Sequence, residues 1–223
     1  MTTPSRPTRA RQPRRVPGRP GTDSPDLRAT LVEAALACFV RDGIAATSLR
    51  GIATQAGVTP AMLNYYFGSK LALRDAIFEE RLMPAMMQLR EGIAGVGDDA
   101  QAMATHFVRG VLGLVDTHPW LPSLWVREVL CEGGAMRELL LTRIGPGLPQ
   151  MLAGRFAEAQ RKGQINPSLD PRLLVVSLIG LTLFPAAGAP IWRQIFQADL
   201  GTEMLAQHAL ALLGHGMEPR HDD

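Results

Sequence analysis

The sequence predicts an all-α protein in which a small N-terminal helical unit precedes a larger helical bundle. Apolar residues recur at three- and four-residue spacing along most of the chain, which is the helical period. No run of residues alternates between apolar and polar types between hairpin turns, so strand signals are absent. The 223 residues are 46% hydrophobic and 20% charged, values typical of globular proteins and not of disordered or fibrous ones.

Capping residues indicate where the first helices begin. Ser24-Pro25-Asp26 predicts an N-cap, a proline in the first turn and an early acidic residue, and Asp42-Gly43 predicts the end of that helix. Thr59-Pro60 starts another helix by the same logic, and Gly68-Ser69 breaks and recaps the chain. The predicted helices span about 27–42, 48–55 and 60–66, followed by a longer one that carries Leu73, Ile77, Phe78 and Leu82.

Five longer and more apolar helices are predicted in the rest of the chain. They span about 100–117, 120–131, 134–162, 171–184 and 192–213. Pro146 and Pro149 should kink or break the third of these. The twenty residues from Leu173 to Trp192 carry no charge, but two prolines and a glycine interrupt them, so we predict a buried helix there and no membrane span.

Basic residues are concentrated at the N-terminus. Residues 1–25 contain six arginines, one acidic residue, six prolines and no aromatic residue, so their net charge is +5 while the other 198 residues carry −3. We predict a disordered basic arm, which attracts polyanions such as DNA. Gly18-Arg19-Pro20 resembles half of an AT-hook and suggests entry into a minor groove, although Pro17 stands where the first arginine belongs. A tail that only aids solubility is the open alternative.

The sequence lacks the patterns expected of an enzyme, a cofactor site or a metal site. Cys38 and Cys131 lie 93 positions apart, and the five histidines form no pair with metal-ligand spacing. No nucleophile elbow, phosphate loop or dinucleotide-binding glycine motif occurs. No apolar signal-peptide segment follows the N-terminal arginines, so we predict a cytoplasmic protein.

Residues 48–66 have the layout of a helix-turn-helix, a motif whose second helix enters the DNA major groove. The wider pattern is Ala34-Ala35, Phe39, Asp42-Gly43, Thr47-Ser48, Ile52-Ala53, Ala56-Gly57-Val58, Tyr66-Phe67, Ser69-Lys70 and Leu73. From residue 27 to about 80 the sequence closely resembles the TetR/AcrR family of bacterial transcriptional regulators. The resemblance implies a DNA-binding domain over 26–70, a ligand-binding and dimerisation domain over 71–215, and a short tail over 216–223.

Several residues of the first domain are candidates for phosphate contact. Thr47 and Thr59 are predicted at helix starts, where hydroxyl and backbone N–H groups meet phosphates. Lys70 matches a phosphate-contacting lysine of the family. Tyr65 and Tyr66 are the only tyrosines; we expect one to pack under its helix and Tyr66 to reach a phosphate.

Other candidates concern base recognition. Arg50 matches a family position that can read a base edge, and arginine pairs bidentately with guanine. The nearly apolar start of the recognition helix favours thymine methyl contacts, and Asn64 replaces a family tyrosine. Residues 26–74 have a net charge of only +2, so we expect the arm to contribute much of the attraction to DNA. The DNA-binding set is Thr47, Arg50, Thr59, Pro60, Ala61, Met62, Asn64, Tyr65, Tyr66, Lys70, Arg14, Arg15 and Arg19.

The resemblance also implies a homodimer and an effector. Dimerisation is expected through the helices at 171–184 and 192–213, and a small, mostly hydrophobic effector is expected among the remaining helices. The ligand-binding candidates are Met103, His106, Phe107, Trp125, Glu128, Met136 and Phe184, and Leu114 and Trp120 are further candidates for the lining. For any one of these apolar residues, ordinary core packing is the alternative, and solvated surface is the alternative for the polar ones.

Together these features predict a ligand-released repressor that binds a pseudo-palindromic operator as a dimer. The alternative is a helical interaction module that binds no specific DNA sequence.

Overall fold

The computed structural model describes residues 26–145 and 147–219, and these residues form helices and turns without a strand. The helices of the N-terminal part are α1 (Leu27–Asp42), α2 (Leu49–Gln55), α3 (Pro60–Phe67), α4 (Lys70–Ile77) and α5 (Met83–Gly95), with a π-helical segment (Phe78–Leu82) between α4 and α5. The others are α6 (Ala100–Thr117), α7 (Leu121–Trp125), α8 (Arg137–Leu139), α9 (Leu148–Arg161), α10 (Pro171–Ala187), α11 (Ala189–Phe196) and α12 (Thr202–Met217). Two more π-helical segments, Val126–Leu130 and Leu140–Ile144, follow α7 and α8.

Short polar side chains cap the first four helices. Ser48, Thr59 and Ser69 each accept a hydrogen bond from a backbone N–H in the first turn of α2, α3 and α4. The N-cap of α1 is Asp26, which accepts from the Arg28 N–H at 3.0 Å. The prediction of Ser24 as this cap was therefore wrong, and the early acidic residue itself performs the capping.

The later helices are more divided than predicted. The segment 134–162 breaks at 145–147 between a π-helical segment and α9, near the two prolines that predicted a break; Pro146 lies outside the described residues. The predicted helix 192–213 is wrong, because α11 ends at Phe196 and Gln197 adopts a left-handed backbone with φ of 50° before α12 begins. A left-handed residue cannot continue an α-helix.

Two hydrophobic cores hold the helices together. One is centred on α6, which packs against α12, α10 and α5, and includes Met103, Leu152, Phe156 and Leu178. The other packs α1 to α4 around Phe39 and Leu63, and it also contains Leu124 and Val129 from the second half of the chain. Helices α1 to α4 therefore share a core with the region that follows α6.

The apolar helix α10 is buried on only one side. Leu174, Leu178 and Leu183 face the core, whereas Leu173 and Phe184 are more than 60% exposed. The expectation of a fully buried helix was therefore only half right. No single helix in the described ranges is long and apolar enough to cross a membrane; α10 and α11 qualify only as a pair, and that pair bends by 67°.

Candidate DNA-binding surface and ligand cavity

A tight turn orients α2 and α3 as a helix-turn-helix. Gly57 adopts a φ of +69° in this turn, and the Val58 N–H donates to the Ala53 carbonyl at 2.9 Å. Ile52 and Leu63 are completely buried, so one face of each helix is fixed against the core that includes α1. This packing leaves the opposite face of α3 in solvent.

The outward face of α3 contains most of the residues that are predicted to contact DNA. Pro60, Ala61, Asn64 and other residues of this helix are exposed, and Met62 is 41% exposed. Neither tyrosine is buried, contrary to our expectation for one of them: Tyr65 is 86% and Tyr66 41% exposed. Their rings meet edge to face with centroids 5.6 Å apart, and Tyr66 also lies 6.5 Å from the ring of Phe67.

Most arginines near this surface are paired with carboxylates. Arg28, Arg41 and Arg74 form ion pairs with Glu80, Asp42 and Asp75 respectively. The hydrogen bond from Arg41 holds the pKa of the Asp42 carboxyl below its usual range, so this carboxyl stays ionised at lower pH than an unpaired aspartate does.

Two basic residues of this region remain without a carboxylate partner among the described residues. Arg50 is exposed on α2, and Lys70 begins α4. The Lys70 Nζ donates to the carbonyls of Ala45 and Thr47, both at 2.8 Å, so it stabilises the loop before α2 and retains one N–H.

Thr47 occupies a different position from the one predicted. It is 5% exposed, and its hydroxyl donates to the Gly43 carbonyl at 2.7 Å and approaches the Cys38 carbonyl at 3.3 Å. The residue at the start of α2 is Ser48, which accepts from the Gly51 N–H at 3.0 Å and is exposed. A choice between adjacent hydroxyl residues depends on burial, which local sequence does not report. Arg14, Arg15 and Arg19 lie outside the described residues.

Comparison with known proteins agrees with this geometry. Residues 31–77 match the model of the bacterial regulatory proteins of the tetR family, a segment that contains α2, α3, α4 and most of α1. Through this segment the chain is similar to the tetR family of bacterial regulatory proteins.

A sequence relative and two solved structures of similar fold each cover most of the chain. The HTH-type transcriptional regulator UidR of Escherichia coli K12 is 25% identical over 163 residues, which cover 72% of this chain and 80% of UidR. The crystal structure of Bacillus subtilis FadR in complex with stearoyl-CoA has a TM-score of 0.65 at 22% identity and covers 84% of this chain and 98% of FadR. The structure of NalD, the secondary repressor of a multidrug efflux pump in Pseudomonas aeruginosa, has a TM-score of 0.65 at 21% identity and covers 87% of this chain and 98% of NalD.

The helices from Phe78 onward surround an apolar cavity of about 100 Å³. Among the described residues, no polar side chain lines it. The lining residues are Phe78, Leu82, Met86, Phe107, Val111, Leu114, Leu121, Trp125, Val129, Met136, Leu140, Ile144, Leu148, Pro149, Ile179 and Leu183. The predicted residues Phe107, Leu114, Trp125 and Met136 are therefore brought together, although they lie far apart in the sequence.

The other predicted ligand residues lie elsewhere. Met103 is fully buried in the core around α6. Trp120 is half-buried and precedes Leu121, which lines the cavity, but Trp120 itself does not line it. His106 and Phe184 are on the surface. For Phe184, the helical period could not distinguish an inward from an outward position, because both faces of α10 are apolar.

Glu128 is buried but does not face the cavity. Its Oε1 accepts from the Ile44 N–H at 2.9 Å and its Oε2 from the Ala135 N–H at 3.2 Å. The neighbouring Arg127 guanidinium donates to the carbonyls of Phe39 and Val40 at the end of α1. The π-helical segment that contains these two residues therefore binds the C-terminal end of α1 directly, while Val129 in the same segment lines the cavity. The only sequence signal for this junction is an adjacent arginine and glutamate.

Proposed function

We propose that this regulator is a ligand-released repressor that binds a pseudo-palindromic operator as a homodimer. The observation that carries the proposal is the exposed outward face of α3, together with Arg50, which is exposed on α2 and has no carboxylate partner among the described residues. An exposed recognition helix on a rigid core can enter the major groove, where bidentate arginine contacts distinguish base pairs. NalD, which has the same fold, is described as a repressor.

The proposed contacts differ in kind along this surface. Arg50 reads a base edge, and the apolar start of α3 at Pro60, Ala61 and Met62 contacts thymine methyl groups. Thr59, Asn64, Tyr65, Tyr66 and Lys70 contact phosphates. Ser48 joins this set in place of Thr47, because its side chain is exposed at the N-terminus of α2. The arginines of the N-terminal arm add sequence-independent attraction.

A row of exposed apolar side chains supports the homodimer. Leu173, Val176 and Phe184 on α10 are each more than 60% exposed, and α12 contributes Met204 and Leu212, which are each more than half exposed. The two helices pack side by side, so their outward faces form one surface. A monomer would leave this apolar surface in water, whereas association through it buries the surface and holds two recognition helices at a defined spacing.

The junction around Glu128 supports release by a ligand. An occupant of the cavity that displaces Val129 or Trp125 also moves Arg127 and Glu128, which hold the end of α1 and the loop before α2. A displaced α1 rotates the helix-turn-helix away from the spacing that the operator requires. The relative FadR, crystallised with stearoyl-CoA, supports a largely hydrophobic occupant.

Electrophoretic mobility shift on the DNA upstream of the protein's own gene tests the proposal. The full chain, with excess competitor DNA and at two salt concentrations, should give a discrete complex that survives competitor and weakens at the higher salt. A variant lacking residues 1–25 should show a smaller salt dependence, because fewer phosphates are neutralised.

The alternative predicts a different result. A helical interaction module would give no specific complex on this DNA or in selection from a random DNA library. That outcome would overturn the repressor proposal.

A further inference from the structure

A second, shallower depression adjoins the apolar cavity. It has a volume of about 60 Å³ and lies between α5 and the segment that connects α8 to α9. Met86, Ile144 and Leu148 line both spaces, so these three side chains form the wall between them. Displacement of these side chains would open the depression to the cavity, so we call the depression the entrance.

Arginines are the only polar side chains that the described residues contribute to this entrance. Arg90 comes from α5 and Arg143 from the π-helical segment Leu140–Ile144. The Arg143 Nη1 lies 2.6 Å from the Glu79 Oε1, and both side chains are about half exposed. Arg90 is exposed and takes part in no ion pair within the described ranges. Counting Arg90 and Arg143 as positive and the Glu79 carboxylate beside Arg143 as negative, the entrance has a net charge of +1.

The cavity wall contains every π-helical segment of the described chain. Phe78 and Leu82 come from the first, Val129 from the second, and Leu140 and Ile144 from the third. Such wide turns are rare and occur frequently at functional sites, because the additional residue in the turn lets a helix change its register. Their concentration around one cavity marks this cavity as a candidate functional site.

We infer that the cavity holds the hydrocarbon tail of an amphipathic anion whose charged head group binds Arg90 and Arg143 at the entrance. This inference rests on the proposed function, since it specifies the effector of the same cavity. A charged head group cannot lie inside a cavity without polar groups, because its desolvation is not compensated there. The arginines next to the cavity supply that compensation through charge-assisted hydrogen bonds.

The size of the cavity adds a requirement for movement. An engineered apolar cavity of about 150 Å³ in another protein accommodates a benzene molecule. The cavity here is smaller, so a chain of more than a few carbons must displace part of the wall. Met86 lies between the entrance and the cavity, and its flexible, polarisable side chain is suited to move aside for such a chain.

Calorimetric titration of the full chain tests this inference with matched probes. Dodecanoate and dodecanol have the same tail and differ in the charge of the head group, and dodecanoyl-coenzyme A carries its charge on phosphates. We expect dodecanoate or dodecanoyl-coenzyme A to bind about 10- to 100-fold more tightly than dodecanol, the range of a hydrogen bond to a charged group. Whichever of the two anions binds more tightly identifies the source of the head group as a carboxylate or a phosphate.

Variants locate the two parts of the ligand. The double variant Arg90→Gln/Arg143→Gln should remove the preference for the anions and leave dodecanol binding unchanged. Arg109→Gln/Arg193→Gln, which changes two exposed, carboxylate-paired arginines away from the entrance, is the matched control and should keep the preference. Val129→Phe, which fills the cavity, should weaken all three probes.

Three outcomes would overturn the inference: equal binding of anions and dodecanol by the unmodified chain, an unchanged preference in the Arg90/Arg143 variant, or no binding of any probe. Operator binding without ligand, measured on the same preparations, separates the two proposals. If the operator complex forms and any of these three outcomes is found, the inference about an amphipathic anion is wrong and the repressor proposal stands. If the anions bind through the two arginines but no operator complex forms, the repressor proposal is wrong and the ligand inference stands.

Discussion

At the scale of single residues, adjacent hydroxyl groups have opposite environments. Thr47 is buried and donates to backbone carbonyls, whereas Ser48 is exposed and caps α2. The Thr47 hydroxyl therefore holds the loop between α1 and α2, while the Ser48 side chain and the N-terminus of α2 remain accessible to a phosphate.

Replacement of Thr47 tests this division. Thr47→Val keeps the side-chain shape and removes the hydroxyl, so we expect the free energy of unfolding to fall by about 1 kcal/mol, because the Gly43 carbonyl loses one of its two donors and keeps only the Thr47 N–H. Urea denaturation measures the loss, and the salt dependence of DNA binding should not change. Thr54→Val is the control, since Thr54 is exposed and its hydroxyl also donates to a backbone carbonyl. A smaller salt dependence without loss of stability in Thr47→Val would return Thr47 to the DNA contacts.

The base-reading role of Arg50 has its own test. Arg50→Ala should lose about 1–3 kcal/mol of discrimination between operator and non-specific DNA, the worth of one bidentate base contact, and should retain weak non-specific binding. Competition binding assays with both DNAs measure this difference. Arg161→Ala on α9 removes an exposed arginine that pairs with Glu158 and should change neither affinity. Unchanged discrimination in Arg50→Ala would exclude Arg50 from base recognition.

At the scale of helices, the end of α1 is where the two halves of the molecule meet. Gly43 ends this helix with φ of 85° and ψ of 155°, a conformation that is almost exclusive to glycine. A Cβ atom at this position would lie 3.4 Å from the Glu128 Oε1 and 3.5 Å from the Arg127 Cδ. These are ordinary contact distances, so the backbone conformation, and not the space around it, is what requires glycine here.

A pair of glycine variants compares two positive-φ positions that both have room for a methyl group. Gly43→Ala should lower the free energy of unfolding by about 1–3 kcal/mol, because alanine is strained at φ of 85° and ψ of 155°. Gly57→Ala, whose Cβ would meet nothing within 4 Å, should cost only the left-handed backbone penalty of about 1 kcal/mol. Thermal or urea unfolding measures both losses. A smaller loss in Gly43→Ala than in Gly57→Ala would contradict the stronger strain expected at Gly43.

At the scale of the whole molecule, the exposed apolar face of α10 and α12 is the surface through which we propose that two chains associate. Leu173→Glu places a charge on this face, so we expect the dimer to dissociate and operator affinity to fall, because two recognition helices about 34 Å apart no longer act together. Sedimentation velocity measures the oligomeric state. Leu130→Glu is the matched control, since Leu130 is also a leucine more than half exposed but lies outside this face. A Leu173→Glu chain that sediments like the unmodified protein would place the interface elsewhere.

The sequence by itself determined the fold class and the positions of most helices. Capping residues such as Thr59 and Ser69, and the recurrence of apolar residues along α1 and α6, act over a few neighbouring positions, so they can be recognised without a structure. The helix-turn-helix was predictable for the same reason, because its turn requires a residue such as Gly57 at a fixed position.

Only the tertiary structure decided which side chains face inward and which distant segments meet. The burial of Thr47, the bond from Ile44 to Glu128 across 84 positions, and the grouping of Phe107, Trp125 and Met136 around one cavity all depend on how helices pack. Hydrophobic burial is non-directional, so an apolar helix such as α10 gives no local indication of which face it buries. That choice is made by the shape of its neighbours, and it separates the cavity wall from the exposed face that we propose for the dimer.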